Sequence, residues 1–314
     1  MSKLAVVAFG GNALLRGDEL GTIKQQEQNT FNTCINLIPL LKDSYNLIIT
    51  HGNGPQVGNI LLRNEAGYKE YKIPRMPLDI CVADSQGGIG YMIERQMLNV
   101  LRKSGLKKNV VTFVTEVLVD KNDPAFQNPT KPVGAFYLKE EAELLAKSND
   151  WLFKEDPRKR GWRRVVPSPK PLDIFNKELV DSLSRSGNIV IASGGGGVPV
   201  FIDENGDVQG VEAVIDKDLA SSLLASKISA DTFIILTDVP KVYINFNKPN
   251  QKALDIVTVS EAKKYLEEGH FAAGSMAPKI EAAIRFVENG GTEALITEAV
   301  SLGKGESGTR IVKN

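Results

Sequence analysis

Short apolar runs that end in glycine constrain this chain more than any other feature. Residues 4–9 (LAVVAF) run into Gly10-Gly11-Asn12, and residues 47–50 (LIIT) into His51-Gly52-Asn53-Gly54-Pro55. Residues 188–192 (NIVIA) run into Ser193 and four glycines, Gly194 to Gly197. Similar runs lie at 110–119, 232–237 and 294–297. They are rich in Val and Ile and lack strict alternation, as strands covered on both faces do. Between them lie helical patterns: Ile280, Ala283, Ile284 and Val287 share a stripe within 277–289, and Leu219, Leu223, Leu224 and Ile228 within 217–229. This alternation predicts an α/β fold with a largely parallel sheet and helices on both faces. In such sheets ligands bind beyond the carboxyl ends of the strands. Three glycine turns at three strand ends predict one shared crevice floored by backbone amides, because glycine permits the backbone angles and close approach that anion-binding turns need.

Composition narrows the class of partner. The chain has 314 residues, 38 Lys plus Arg against 38 Asp plus Glu, and two histidines and two cysteines. Zero formal net charge argues against a dedicated nucleic-acid binder. Two cysteines, Cys34 and Cys81, make no disulfide scaffold, and His51 and His270 make no zinc site. The apolar stretch at the N-terminus is too short for a signal sequence, and no run approaches the ~20 apolar residues of a membrane span. A cytoplasmic enzyme with no nucleic-acid or membrane partner is expected.

Several nucleotide-site signatures are missing. There is no GxxxxGK[ST] loop, and Gly303-Lys304-Gly305 has the wrong spacing. Protein-kinase HRD and DFG elements and a Gly-x-Ser-x-Gly elbow are also absent. Gly52, Gly54 and Gly58 come within one residue of a dinucleotide fingerprint, but no acidic residue follows at the end of a second strand.

Two lysines stand where helix electrostatics disfavour them. In Ile215-Asp216-Lys217-Asp218-Leu219, Asp216 suits an N-cap and Asp218 the first turn, but Lys217 faces an already positive helix end. In Ser275-Met276-Ala277-Pro278-Lys279, Pro278 suits the first helical position and Lys279 repeats the anomaly. Either both lysines are solvated and balanced by acids, or both aim at an anion together with free helix amides. Pro129-Thr130-Lys131-Pro132 frames a third lysine in extended chain, as a linker or a rigid presentation. Thr237-Asp238-Val239, with Tyr243 beyond, is a capped turn or a contact for a nucleotide. Residues 120–171 hold seven prolines and the basic run Arg158-Lys159-Arg160 flanked by Trp151 and Trp162, with Arg163 and Arg164 after it, and read as an excursion from the sheet.

The strings GGNAL (10–14), THGNGPQVG (50–58), DSQGGIGY (84–91), NPTKPVGAFY (128–137), IASGGGGVPV (191–200), GVEAVIDKDLASSLLA (210–225), LTDVPKVYINF (236–246) and GSMAPKIEAAIRFV (274–287) closely resemble the carbamate kinases, a branch of the amino-acid kinase family. The likeness spans nearly the whole chain. It implies an open αβα sandwich forming a single domain over 1–314, with a carbamate or carbamoyl phosphate lobe at 1–205, a protruding lid at 120–171 and a nucleotide lobe at 206–314.

The resemblance also implies roles. Lys131, Lys217 and Lys279 match lysines around the transferring phosphoryl group, and Asp218 the carboxylate that organises Lys217 and Lys279. Gly10, Gly11, Asn12, Gly52, Asn53 and Gly54 match turns around the transfer site, and Gly194 and Gly195 join them as substrate-binding residues. Thr237, Asp238, Val239, Tyr243 and Met276, with Lys279, fall where the family holds ATP or ADP. Mg²⁺ would be held by nucleotide phosphates and water rather than by a protein cage, and a homodimer is implied. Other amino-acid kinases often carry a lysine two residues before the first glycine pair. That position is Ala8 here, and Lys131 resembles its substitute, which shifts the expected substrate away from N-acetylglutamate or aspartate. Another amino-acid kinase acting on a larger acidic substrate is the alternative.

Overall fold

A computed structural model describes residues 3–17, 19–149, 151–302 and 307–314, apart from the side chain of Asn12. Gly303-Lys304-Gly305 lies outside the described residues. The central sheet runs in the order Ile256–Thr258, Thr309–Val312, Glu293–Glu298, Thr232–Thr237, Leu4–Phe9, Asn46–His51, Ile189–Ile191, Val110–Thr112. Every pairing is parallel except that between Glu293–Glu298 and Thr309–Val312.

Strands from before residue 206 occupy one side of this sheet and later strands the other. They meet where Leu4–Phe9 pairs with Thr232–Thr237, with Ala5 beside Thr232 and Ala8 beside Ile235. The chain leaves Leu4–Phe9 in one direction and returns to its other edge much later. That reversal opens a crevice at the carboxyl ends of the two strands.

Leu4–Phe9 is buried along its whole length, and its side chains alternate between two cores. Leu4, Val6 and Ala8 join one with Leu224, Ile280 and Ile284, and Ala5, Val7 and Phe9 join the other with Cys34, Ile93 and Met97. A period of two sends alternate residues to opposite faces, so an apolar run without alternation becomes a strand between two helix layers. The structure is an αβα sandwich, as expected from the sequence.

The apolar run 110–119 does not form one strand. Val110–Thr112 ends the central sheet, and Glu116–Val119 enters a second sheet with Val198–Ile202, Val208–Gly210 and Pro171–Ile174. Thr115 makes the break: its backbone bonds both ways with the Gln86 side chain, whose Oε1 accepts at 2.9 Å and whose Nε2 donates at 3.1 Å. The side-chain amide replaces a ladder partner, so an apolar pattern alone cannot reveal the corner.

Residues 131–166 build a separate antiparallel sheet of Lys131–Tyr137, Trp162–Val166 and Leu152–Glu155, with helix Lys139–Asn149 beside it. Lys131 therefore begins a strand rather than sitting in a linker. Val133 and Val166 pack with Val57, Leu78, Val198 and Val200, which anchors this small sheet to the body. Gly58 of helix Gly54–Tyr71 faces Gly134 across that contact: a Cβ on Gly58 would lie 3.7 Å from the Gly134 backbone. The proposed division at 205/206 falls at the tip of the hairpin Val198–Ile202/Val208–Gly210.

Candidate active site

Two helices aim their first turns at the crevice. Helix Lys217–Lys227 starts with Asp216 as its N-cap, whose Oδ1 accepts from the amides of Asp218 at 2.9 Å and Leu219 at 3.3 Å. The other oxygen of Asp216 receives the Lys131 ammonium at 3.4 Å. Asp218, 3% exposed, takes the Lys217 ammonium on one oxygen and the Lys279 ammonium on the other, the latter at 2.9 Å. The two misplaced lysines thus share one buried carboxylate, and neither is a free surface group. Thr50 ties the helix to strand Asn46–His51 through a 2.6 Å contact with Ser221, whose hydroxyl donates to Lys217 O.

The free helix amides expected beside these lysines are largely spent. Asp216 takes two of them. At helix Met276–Glu288 the amides of Ser275, Met276 and Ala277 all donate to Ala272 O at 3.1 Å. Pro278 is the third helical residue rather than the first, and brings no N–H. Available positive charge here comes from ammonium groups and glycine turns.

Burial alone would raise the Asp218 carboxyl, but the two ammonium groups outweigh it and hold the group below the usual carboxylate range. Burial pushes the Lys217 ammonium below its ordinary value and Lys279 adds to this, while Asp218 opposes both. The ionised carboxylate is what keeps two close cations tolerable.

The glycine turns close around this cluster. The Lys217 side chain crosses Gly52: a Cβ there would lie 3.3 Å from Lys217 Cδ. One on Gly10 would lie 2.4 Å from Leu236 O, so the first turn sits against the end of strand Thr232–Thr237. In the four-glycine turn, Gly196 N donates to Ser193 O and Gly197 N to Gly194 O, leaving the amides of Gly194 and Gly195 unspent by the turn itself. Gly195 (φ 66°) lies over the Asn53 amide, and Gly196 (φ 94°) against Ile215 O, where Cβ atoms would come within 2.2 and 2.3 Å. Asn53 Nδ2 donates to Ser85 Oγ at 2.8 Å, and Ser85 passes its own proton to Val82 O. That chain fixes the amide orientation. Asn12 lies in the first turn, with its side chain outside the described residues.

Next to Lys279 opens a cleft of about 750 Å³. It is lined by all of Thr237, Asp238, Val239, Tyr243, Met276 and Lys279, and by Gly11. Sequence reasoning missed its further walls of Asn245, Phe246, Lys248, His270 and Phe271. The Tyr243 and Phe246 rings lie 5.9 Å apart, spaced as aromatic partners. Their signal was available in the string YINF, where the polar Asn245 separates aromatic and apolar residues in a segment that forms no long strand. The size suits a small-molecule site.

From outer to inner end the crevice therefore reads cleft, Lys279, Asp218, Lys217, then the Gly52 turn. A smaller cavity of about 260 Å³ lies between helix Gly54–Tyr71 and strand Lys131–Tyr137. Its arginines, Arg75 and Arg164, are already paired with Glu65 and Glu212. Among the described residues no group of three or more His, Cys, Asp or Glu could hold a metal ion, and no helix is long and apolar enough to cross a membrane.

Comparison with known proteins places the chain in a family. Residues 3–298 match the model of the amino acid kinase family. The chain is 52% identical to a carbamate kinase of Thermococcus kodakarensis, covering 99% of each chain, and 50% identical to one of Pyrococcus furiosus over 99% of this chain and 100% of that one. It is 47% identical to the carbamate kinase-like protein YahI of Escherichia coli, over the full length of both. Carbamate kinase from Giardia lamblia bound to AMP-PNP superposes with a TM-score of 0.93 at 44% identity, over 100% of this chain and 99% of that one. With a family model spanning nearly all of the chain and full-length relatives at half identity, this chain belongs to the amino acid kinase family.

Proposed function

We propose that this chain is a carbamate kinase, transferring the γ-phosphoryl group of ATP to carbamate reversibly to give ADP and carbamoyl phosphate. The observation that carries the reading is the shared carboxylate of Asp218, which joins Lys279 on the nucleotide cleft to Lys217 on the Gly52 turn. Names of the full-length relatives support the substrate.

The chemistry needs few groups. Carbamate is already an oxyanion, so no base must take a proton. One carbamate oxygen attacks the γ-phosphorus, a P–O bond forms, and the bond to the β-phosphate oxygen breaks with its electron pair leaving on ADP. The barrier lies in bringing two anions together and in the charge on the moving phosphoryl group, so positioning and electrostatics do nearly all the work. Each ammonium within ~4 Å of a phosphate oxygen is worth roughly 4 kcal/mol before desolvation. Lys217 and Lys279 would hold the phosphoryl group, with Asp218 fixing their spacing. Lys131 would reach it from the small sheet of residues 131–166, leaving Asp216 to do so. Gly10, Gly11, Gly52, Asn53, Gly54, Gly194 and Gly195 would bind the carbamate side, and Thr237, Asp238, Val239, Tyr243 and Met276 the nucleotide.

Mg²⁺ is expected to arrive with the nucleotide, held by its phosphates and water. Among the described residues there is no protein cage, and the crevice carboxylates Asp216 and Asp218 already hold ammonium groups. When bound, the ion would neutralise charge on the phosphate oxygens. On the same family resemblance the enzyme is read as a cytoplasmic homodimer, with one lobe on each side of residue 206 and residues 120–171 as its lid. Sedimentation equilibrium tests the dimer.

Phosphorus NMR of the purified protein with Mg²⁺, ADP and carbamoyl phosphate, then with ATP and carbamate, tests the reaction. The expected result is interconversion in both directions and no transfer to N-acetylglutamate, aspartate or glutamate. Transfer to one of those acids and not to carbamate would overturn the reading.

A further inference from the structure

We infer that His51 Nε2 accepts a hydrogen bond from the amino group of carbamate and thereby distinguishes carbamate from carboxylates of the same size, an inference that rests on the carbamate kinase reading above. His51 ends strand Asn46–His51 and is 1% exposed. Its Nδ1 lies 2.9 Å from Gly52 O. A carbonyl oxygen only accepts, so Nδ1 carries the proton and Nε2 presents a lone pair. Among the described residues no donor meets that lone pair, and Nε2 is not one of the side-chain atoms sealed from solvent without a partner, so a donor from the crevice can reach it.

The glycine turn passes so close over Nε2 that no side chain fits between them. A Cβ on Gly194 would stand 2.3 Å from Nε2 and 3.1 Å from Gln86 Cγ. With glycine there, the nitrogen faces the turn whose Gly194 and Gly195 amides remain unspent. Lys131, Lys217 and these amides are all donors, which suits the oxygen end of carbamate. Its amino end brings two N–H donors and needs acceptors, yet Asp216 and Asp218 are both engaged. His51 Nε2 under Gly194 supplies one, and the oriented Asn53 amide under Gly195 offers its Oδ1 as a second. Burial pushes the imidazole down to about 4, opposed by the bond to Gly52 O and aided by the Lys217 charge, so the ring stays neutral and Nε2 stays an acceptor at neutral pH.

Acetyl phosphate separates the two ends of the substrate, since a methyl group replaces the amino group. The measurement is kcat/KM for ATP formation from carbamoyl phosphate and from acetyl phosphate, in wild type, His51→Asn and His51→Gln. Where acetyl phosphate turns over too slowly to score, its inhibition constant against carbamoyl phosphate takes its place. Asn keeps a donor near Gly52 O but has no group at the Nε2 position, whereas the longer Gln can place its Oε1 there. In His51→Asn the preference for carbamoyl phosphate is expected to fall about tenfold, the scale of one lost hydrogen bond to a buried acceptor, and in His51→Gln to recover in part. ADP affinity, read in the other lobe, checks that each variant is folded. Should His51→Asn fail that check, Gly194→Ala provides the second variant, and it is expected to weaken carbamoyl phosphate more than acetyl phosphate. An unchanged preference, or an equal loss for both substrates, overturns the inference. A wild-type protein inactive on carbamoyl phosphate instead overturns the reading beneath it.

Discussion

The Lys279 ammonium stands 2.9 Å from Asp218 Oδ2, while the other oxygen of the same carboxylate holds Lys217. One buried anion thereby spaces two cations that come from different helices, with Lys279 61 residues from Asp218 in sequence. Asp218→Asn removes the charge and keeps the shape. Turnover is expected to fall by about a hundredfold or more, the scale seen when a pre-organised electrostatic contact is lost. The folded state is expected to lose about 3 kcal/mol or more, because two buried ammonium groups lose their counter-charge. Steady-state kinetics beside urea denaturation measures both. A variant with normal turnover would mean that Asp218 serves the fold alone.

Lys279 should split differently from Lys131. Lys279 lines the nucleotide cleft and is 15% exposed, so Lys279→Ala is expected to weaken ADP binding about tenfold and turnover further. Isothermal titration with ADP, paired with kcat, tests this. Unchanged affinity and rate would return Lys279 to the role of a structural ion pair.

Lys131 is 46% exposed and reaches the site only through Asp216. Its pairing there is worth about 1 kcal/mol or less, as exposed ion pairs are. The ammonium is therefore cheap to transfer to a phosphoryl oxygen. Lys131→Ala is expected to lower kcat about a hundredfold while leaving ADP affinity and the denaturation midpoint almost unchanged. Collapse of ADP binding with normal turnover at saturation would refute the role given to Lys131.

Much of this was legible in the sequence, and the failures have physical causes. Strand Leu4–Phe9, its glycine turn and the anomalous Lys217 could be read because each violates or satisfies a local rule: apolar runs, close backbone approach, helix polarity. The Lys217–Asp218–Lys279 cluster could not be derived from spacing, since it joins helices distant in sequence; there the resemblance supplied what local rules lacked. Spare amides were expected at both helix starts, yet Asp216 and Ala272 O consume them. The run 110–119 looked continuous because its corner is made by Gln86, a residue on another element. His51 carried no signal as one of two scattered histidines, and gains meaning only when Gly194 is laid over its ring.

The buried imidazole also predicts how the fold responds to acid. His51 has its native-state pKa depressed from 6.5 to about 4 by burial. Between those values the unfolded chain binds a proton that the native chain refuses, so stability must rise with pH. The contribution is complete above pH 6.5 and is lost as the pH falls toward 4, by about 3 kcal/mol in all. Urea midpoints measured from pH 7 to pH 4 should therefore fall, and the fall should be shallower in His51→Asn, which has no titrating ring. Carboxylates depressed by their partners, Asp218 among them, act at lower pH, since their stabilisation is lost only below the ordinary carboxylate range. Equal slopes for wild type and His51→Asn across this window would mean that burial does not depress the imidazole below its unfolded value, and would remove that support for a neutral ring.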